Sequence, residues 1–339
     1  MLKELTQING VSGDEKKVRE YIINKISHLC DEITVDPMGS IIAFKKGTGN
    51  TKHKIMICAH MDEVGFIVSG ITKEGFVKFK SVGGFDDRIL LTQRVIIESE
   101  SEQVSGVMGI KAVHLQSGEE RKKVVNLDDM YIDIGAKDDE DALKYIAKGD
   151  YIAFDSAYRL MGNGCVKAKA LDDRAGCYNL IRLMQNEFES DLYFCFTTQE
   201  EVGLRGATVV ANRVGADIAF ILEATTAGDT PFTDEHMYCT RLGKGPVISI
   251  MDRGSYSDKK LNRFVADVAE KNNIQIQYKQ TTNGGNDAGA IQTSLSGVKT
   301  CVLSVPCRYI HSPVSMAKLC DIDSVYELMK RTLADINMF

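Results

Sequence analysis

Leu192-Tyr193-Phe194-Cys195-Phe196-Thr197-Thr198-Gln199-Glu200-Glu201-Val202-Gly203 decides how the chain is read. Its first five residues are aromatic or apolar, the pattern of a strand buried on both faces. Two glutamates follow where that strand gives way to a loop. In an open α/β sheet, ligands bind outside the carboxyl ends of the strands. Neighbouring side chains leave extended backbone on opposite faces, so Glu200 and Glu201 are expected to do different work. One can hold a cation while the other faces a substrate as a base. The competing reading is a solvated pair at the start of the next helix.

Working outward, Lys54-Ile55-Met56-Ile57-Cys58-Ala59-His60-Met61-Asp62-Glu63 is a second apolar strand that ends in polar groups. His60 and Asp62 are two apart and share one face, which suits a metal ligand and the carboxylate that orients it. A histidine in a satisfied loop is the alternative. Residues 1–30 read as helical, with Val18, Tyr21, Ile22, Ile26 and Leu29 at helical spacing. From Val64 to Lys167 short β-type segments alternate with glycine and acidic turns, and a helix is predicted only over 138–146. His114, within this stretch, reads as structural or surface. Beyond it, helix and strand patterns alternate again: a helix from Asp173, strands at 192–196 and 218–222, a helix from Lys260, a strand at 299–305 and a closing helix from Ile322. The pattern predicts a three-layer α/β domain formed by residues 1–63 and 168–339, with residues 64–167 inserted as a small β-barrel-like domain.

Composition narrows the function. The 339 residues carry net charge −6, against the basic footprint of a nucleic-acid binder. No apolar run is long enough to span a bilayer, and the N-terminus lacks the core of a signal peptide. The nine cysteines fall without a CxxC pair, and Cys58, Cys195 and Cys301 sit inside apolar runs as small hydrophobes, which points to a reducing cytoplasm.

His60 with Asp62, Asp172, Glu200 with Glu201, Glu223 and His311 all fall at strand ends or the loops beside them. Clustered carboxylates without cations would have to neutralise. Two divalent ions resolve this, held about 3.5–4 Å apart by a bridging carboxylate. Asp172 is assigned as the bridge, His60 and Glu223 to one ion, Glu201 and His311 to the other. Nitrogen and oxygen ligands suit zinc, cobalt or manganese, and imidazole favours the first two. Glu200 would take a proton from metal-bound water and pass it to the leaving nitrogen. Asp62 would fix the His60 ring.

Ala59-His60-Met61-Asp62-Glu63, Leu171-Asp172-Asp173-Arg174-Ala175-Gly176, Gln199-Glu200-Glu201-Val202-Gly203 and Arg308-Tyr309-Ile310-His311-Ser312-Pro313 resemble, in order, the signatures of the co-catalytic metallo-aminopeptidases. That family includes glutamyl aminopeptidase, the tetrahedral aminopeptidases and proteins labelled cellulase M. Gly284-Gly285-Asn286-Asp287-Ala288-Gly289 resembles its glycine-aspartate loop. The resemblance implies an exopeptidase acting on peptide N-termini with two zinc or cobalt ions, and the same metal and base positions. It implies an insertion used for dimerisation, and twelve subunits in a hollow tetrahedron. The ligand at position 223 is usually aspartate in the family and is glutamate here, which keeps a deacylase or carboxypeptidase on the same scaffold as the alternative. A metal-free glycosidase and a non-catalytic scaffold are the remaining rivals. For specificity, Arg241, Arg253, Lys259 and Lys260 are the cations that can meet an acidic side chain. Arg174 and Arg308, beside ligands, are expected to brace the site.

Overall fold

A computed structural model describes residues 1–100 and 102–339. The chain opens with helices α1 (Leu2–Gln7) and α2 (Lys16–Ile26) and strands β1 (Glu32–Val35), β2 (Ile41–Lys45) and β3 (Ile55–His60). Six strands then close into a barrel: β4 (Gly65–Ile71), β5 (Val77–Val82), β6 (Arg94–Glu98), β7 (Gln103–Met108), β8 (Ile132–Asp133) and β9 (Tyr151–Phe154), with the short helix α3 (Asp139–Ala142) before the last. Alternate residues such as Phe66, Val68, Val77, Phe79, Val95 and Ile97 point inward and fill it, as the two-residue period of a strand requires.

The chain then returns through β10 (Arg159–Met161), β11 (Cys165–Ala168), α4 (Leu171–Met184), β12 (Leu192–Thr197), α5 (Arg205–Val214) and β13 (Ile218–Thr226). It ends with β14 (Val247–Ser249), α6 (Lys259–Lys271), β15 (Gln277–Tyr278), α7 (Ala288–Ile291), β16 (Lys299–Arg308), β17 (Ser315–Lys318) and α8 (Leu319–Asp335). The large sheet runs β1-β2-β12-β3-β13-β16-β17-β11-β10, with β14 and β15 branching from β16. Its centre, β12-β3-β13-β16, is parallel.

Parallel strands covered on both faces are apolar throughout, and β3 is buried at every position. Parity divides its residues between two layers. Ile55, Ile57 and Ala59 face the core under α4, α6 and α8, while Met56 and Cys58 face the one under α5 and α7. The architecture is the layered α/β domain with an inserted barrel that the sequence predicts.

Two details differ. The barrel ends at Phe154, whereas β10 and β11, inside the predicted 64–167 segment, join the large sheet beside β17. Val166 and Ala168 bury in the main core, which draws this hairpin away from the barrel. Helix α5 carries no polar cap as a sequence signal at its start: the preceding residue is Leu204 in a left-handed conformation.

Phe220, on β13, is fully buried at the centre of this sheet. Phe220→Ala is expected to cost about 3–5 kcal/mol, read as a lower denaturant midpoint. A loss below about 1 kcal/mol would contradict the packing described.

Candidate metal centre

Strand register brings the ionisable groups to one level. Thr197 of β12 pairs with His60 of β3, and Ile221 of β13 pairs with Cys58. Glu223 is two residues beyond Ile221, as His60 is beyond Cys58, so both stand level and on the same face. The loop after β16 returns His311 to this edge. The start of α4 brings Asp172 and Asp173, where the backbone leaves helical values and the intervening peptide is cis.

The contacts form two linked groups. His60 Nε2 lies 3.2 Å from Asp172 Oδ1 and 3.9 Å from Glu223 Oε2. His311 Nε2 lies 3.4 Å from Asp172 Oδ2 and 3.3 Å from Glu201 Oε2. The extra methylene of Glu223 therefore still brings an oxygen to the cluster. All five, with Glu200, line one cavity of about 600 Å³.

The two glutamates do not diverge as strand alternation predicts. The strand ends at Thr197, and Gln199 takes a left-handed φ of 55°. That reversal, followed by Gly203 at φ 120°, lets Glu200 and Glu201 face the same cavity.

Asp62 holds this loop from behind. Its Oδ1 accepts from the Glu200 N–H at 3.0 Å, and its Oδ2 accepts from the Glu201 N–H at 3.1 Å and the Ser12 hydroxyl at 2.6 Å. It also lies 3.4 Å from His60 Nδ1, whose nearer partner is the Asp62 carbonyl at 3.1 Å. Glu15 Oε1 accepts from the N–H groups of Gly13 and Gln199, and burial pushes its carboxyl up to about 7. Arg174, fully buried, donates to the carbonyls of Met61, Leu5 and Ile8 and clamps the N-terminal segment against the end of β3. Arg308 forms a two-point contact with Asp229, 2.8 Å at each nitrogen. Neither arginine lines the cavity.

Burial pushes Glu200 and Glu223 well above the usual carboxylate range and Glu201 to about 7. Burial would raise Asp172 too, but His311 and His60 outweigh it and hold its carboxyl well below that range. Among the described residues no lysine or arginine pairs with Asp172, Glu200, Glu201 or Glu223, and Glu223 Oε1 has no partner. Donor atoms of His60, Asp172 and Glu201, and again of His60, Asp173 and Glu223, lie within 4.8 Å of one another. Imidazole and carboxylate donors without compensating cations fit divalent metal.

Two buried carboxyls were not singled out from sequence. Asp173 is raised well above its usual range by burial and leaves Oδ2 unpartnered. Asp287 is raised to about 6 by burial, although Thr197 Oγ1 donates to it at 2.5 Å. Both lie within the quoted motifs, the only signal available. Of the cations weighed for specificity, Arg253 lines the cavity, joined by Lys279. Arg241 instead pairs with Glu235 beside another cavity, and Lys259 and Lys260 are exposed at the start of α6. His114 is exposed on the barrel.

The fold and cluster define a metal-dependent hydrolase of the layered α/β type. The profile of M42 glutamyl aminopeptidase matches residues 39–328, and the chain belongs to that family. It is therefore a peptide hydrolase, a metal-dependent aminopeptidase. A relative from Acetivibrio thermocellus, provisionally named an aminopeptidase, is 39% identical over 97% of this chain and 96% of its own. A TET aminopeptidase from the marine sediment archaeon Thaumarchaeota archaeon SCGC AB-539-E09 superposes with TM-score 0.94 at 36% identity, covering 98% of this chain and 94% of that one. The TET1 peptidase of Pyrococcus horikoshii, which can assemble into a tetrahedron or a large octahedral shell, gives 0.88 at 38% identity, covering 98% of each.

Removing the Ser12 hydroxyl leaves Asp62 one donor short in a buried position. Ser12→Ala is expected to destabilise the protein by about 1–3 kcal/mol in urea unfolding. A change below about 0.3 kcal/mol would contradict the anchoring role.

Proposed function

We propose that the chain is a dinuclear aminopeptidase that holds two divalent ions, zinc or cobalt, and releases the first residue of peptides. His60, Asp172 and Glu223 would hold one ion, and Asp172, Glu201 and His311 the other. One observation carries this reading: the two oxygens of Asp172 face different histidines, at 3.2 Å and 3.4 Å, as a shared carboxylate must. Bound there, the ions would supply Lewis-acid activation of water and of the scissile carbonyl.

Glu200 is the proposed base. It lines the cavity and is a candidate ligand in neither group of donors, and burial raises the proton affinity of its carboxylate. Its carboxylate oxygen would accept the proton of the attacking water and deliver it to the departing amide nitrogen. Asp62 is proposed to position it, through the N–H groups of Glu200 and Glu201 and the His60 ring. The match to the M42 aminopeptidase profile favours an aminopeptidase over a deacylase or carboxypeptidase. Arg253 and Lys279, on the same cavity, favour an acidic first side chain.

The assembly is proposed to be a homo-oligomer, a tetrahedral dodecamer of dimers with the barrel as its assembly domain. The likeness to the TET structures supports this reading. A cytoplasmic site is consistent with nine free cysteines, and among the described residues no helix is long and apolar enough to cross a membrane. Partners other than peptides and further copies of this chain, nucleic acid in particular, are not expected at net charge −6.

Glu200→Gln is expected to keep its metal content and lower kcat roughly a hundredfold to ten-thousandfold. Turnover within about threefold of wild type would rule out Glu200 as the base. Arg253→Ala should reduce kcat/KM for a glutamyl amide about tenfold relative to a leucyl amide. Equal losses on both amides would remove Arg253 from specificity.

A further inference from the structure

We infer that a second cavity, between the barrel and the loop that carries His311, receives the peptide beyond the scissile bond and selects an apolar second residue. This inference rests on the aminopeptidase reading above. The cavity measures about 740 Å³ and adjoins the catalytic one, with Ile310 and His311 lining both. A peptide lying across His311 passes from one to the other.

The reacting groups set the direction. The first cavity holds Glu200, the proposed base, and the candidate ligands Asp172, Glu201 and Glu223, so the scissile bond and the first residue lie there. The second is walled on the barrel side by Phe85, Ile89 and Leu91, and on the loop side by Tyr309, Pro313 and Val314. Its charged residues, Asp86 and Arg88, pair with each other, Arg88 Nε lying 2.8 Å from Asp86 Oδ1, which leaves little net charge to select a polar side chain.

The barrel wall is held in place. Phe85 stacks on Phe66 with ring centroids 4.7 Å apart and meets Phe154 edge-on at 5.6 Å. The Gly84 carbonyl lies 3.2 Å from His311 Nδ1, so the wall is fastened to the residue that divides the cavities. Across from it, Tyr309 and Val314 are 51% and 45% exposed, apolar surface that a substrate side chain would cover.

The test is hydrolysis of Glu-Leu-Gly and Glu-Gly-Gly by the intact metal-loaded protein, wild type beside Ile89→Asn and Val314→Asp. Wild-type kcat/KM should favour the leucine peptide about tenfold, equivalent to about 1.4 kcal/mol, and the ratio should fall toward one in both variants. Equal wild-type rates on the two peptides would overturn the subsite alone. Release of the first residue from neither peptide, nor from Leu-Leu-Gly or Lys-Leu-Gly, would overturn the aminopeptidase reading, and the subsite with it. A ratio unchanged in both variants, with altered elution in size exclusion, would assign the groove to a contact between copies and overturn the proposal.

Discussion

The carboxyl groups of Asp172, Asp173, Glu200, Glu201, Glu223 and Asp287 crowd around His60, buried or half-buried at the floor of the cavity. Like charges so close cannot all ionise on their own, and protein side chains supply little relief beyond two imidazoles. Much of the surrounding architecture keeps this unfavourable arrangement in register. Parallel strands level His60 with Glu223, and Arg174 ties the N-terminal segment to the strand end. Asp62 grips the backbone of the adjacent glutamates. Cations would turn that crowding into a stable centre.

The barrel contributes to the same centre. Glu98 on β6 accepts from Asn9 Nδ2 at 2.7 Å and pairs with Lys17, fastening the barrel to the N-terminal segment. Burial would raise the Glu98 carboxyl, but its hydrogen bonds to Lys17, Asn9 and Gln103 outweigh that and keep it below the usual range. At the other side, Gly84 meets the His311 ring. A module that only joined subunits would not need to touch a candidate ligand.

Much of this was legible in the sequence because parallel strands are covered on both faces. Such strands read as continuous apolar runs, and the polar residues after Ala59, Phe196 and Leu222 mark the edge where ligands gather. The places of His60, Glu201 and Glu223 follow from that pattern, whereas Asp172 comes from the start of α4 and His311 from the loop after β16. Other features depend on backbone that a residue pattern does not encode. The left-handed Gln199 turns Glu200 and Glu201 to one side, against strand alternation. The non-helical start of α4 brings Asp173 inward beside Asp172. Asp287 is carried to the centre by the start of α7 and bonds with Thr197, ninety residues away in sequence. The hairpin of β10 and β11 has the short strands of the barrel, and its true partner, β17, lies far along the chain.

Anomalous diffraction at the absorption edge of the metal carried by active protein is the most direct test of the account. It should give two peaks per chain, on either side of the Asp172 carboxylate and between His60 and His311. A fully active protein with a single peak, or with metal remote from Asp172, would contradict it.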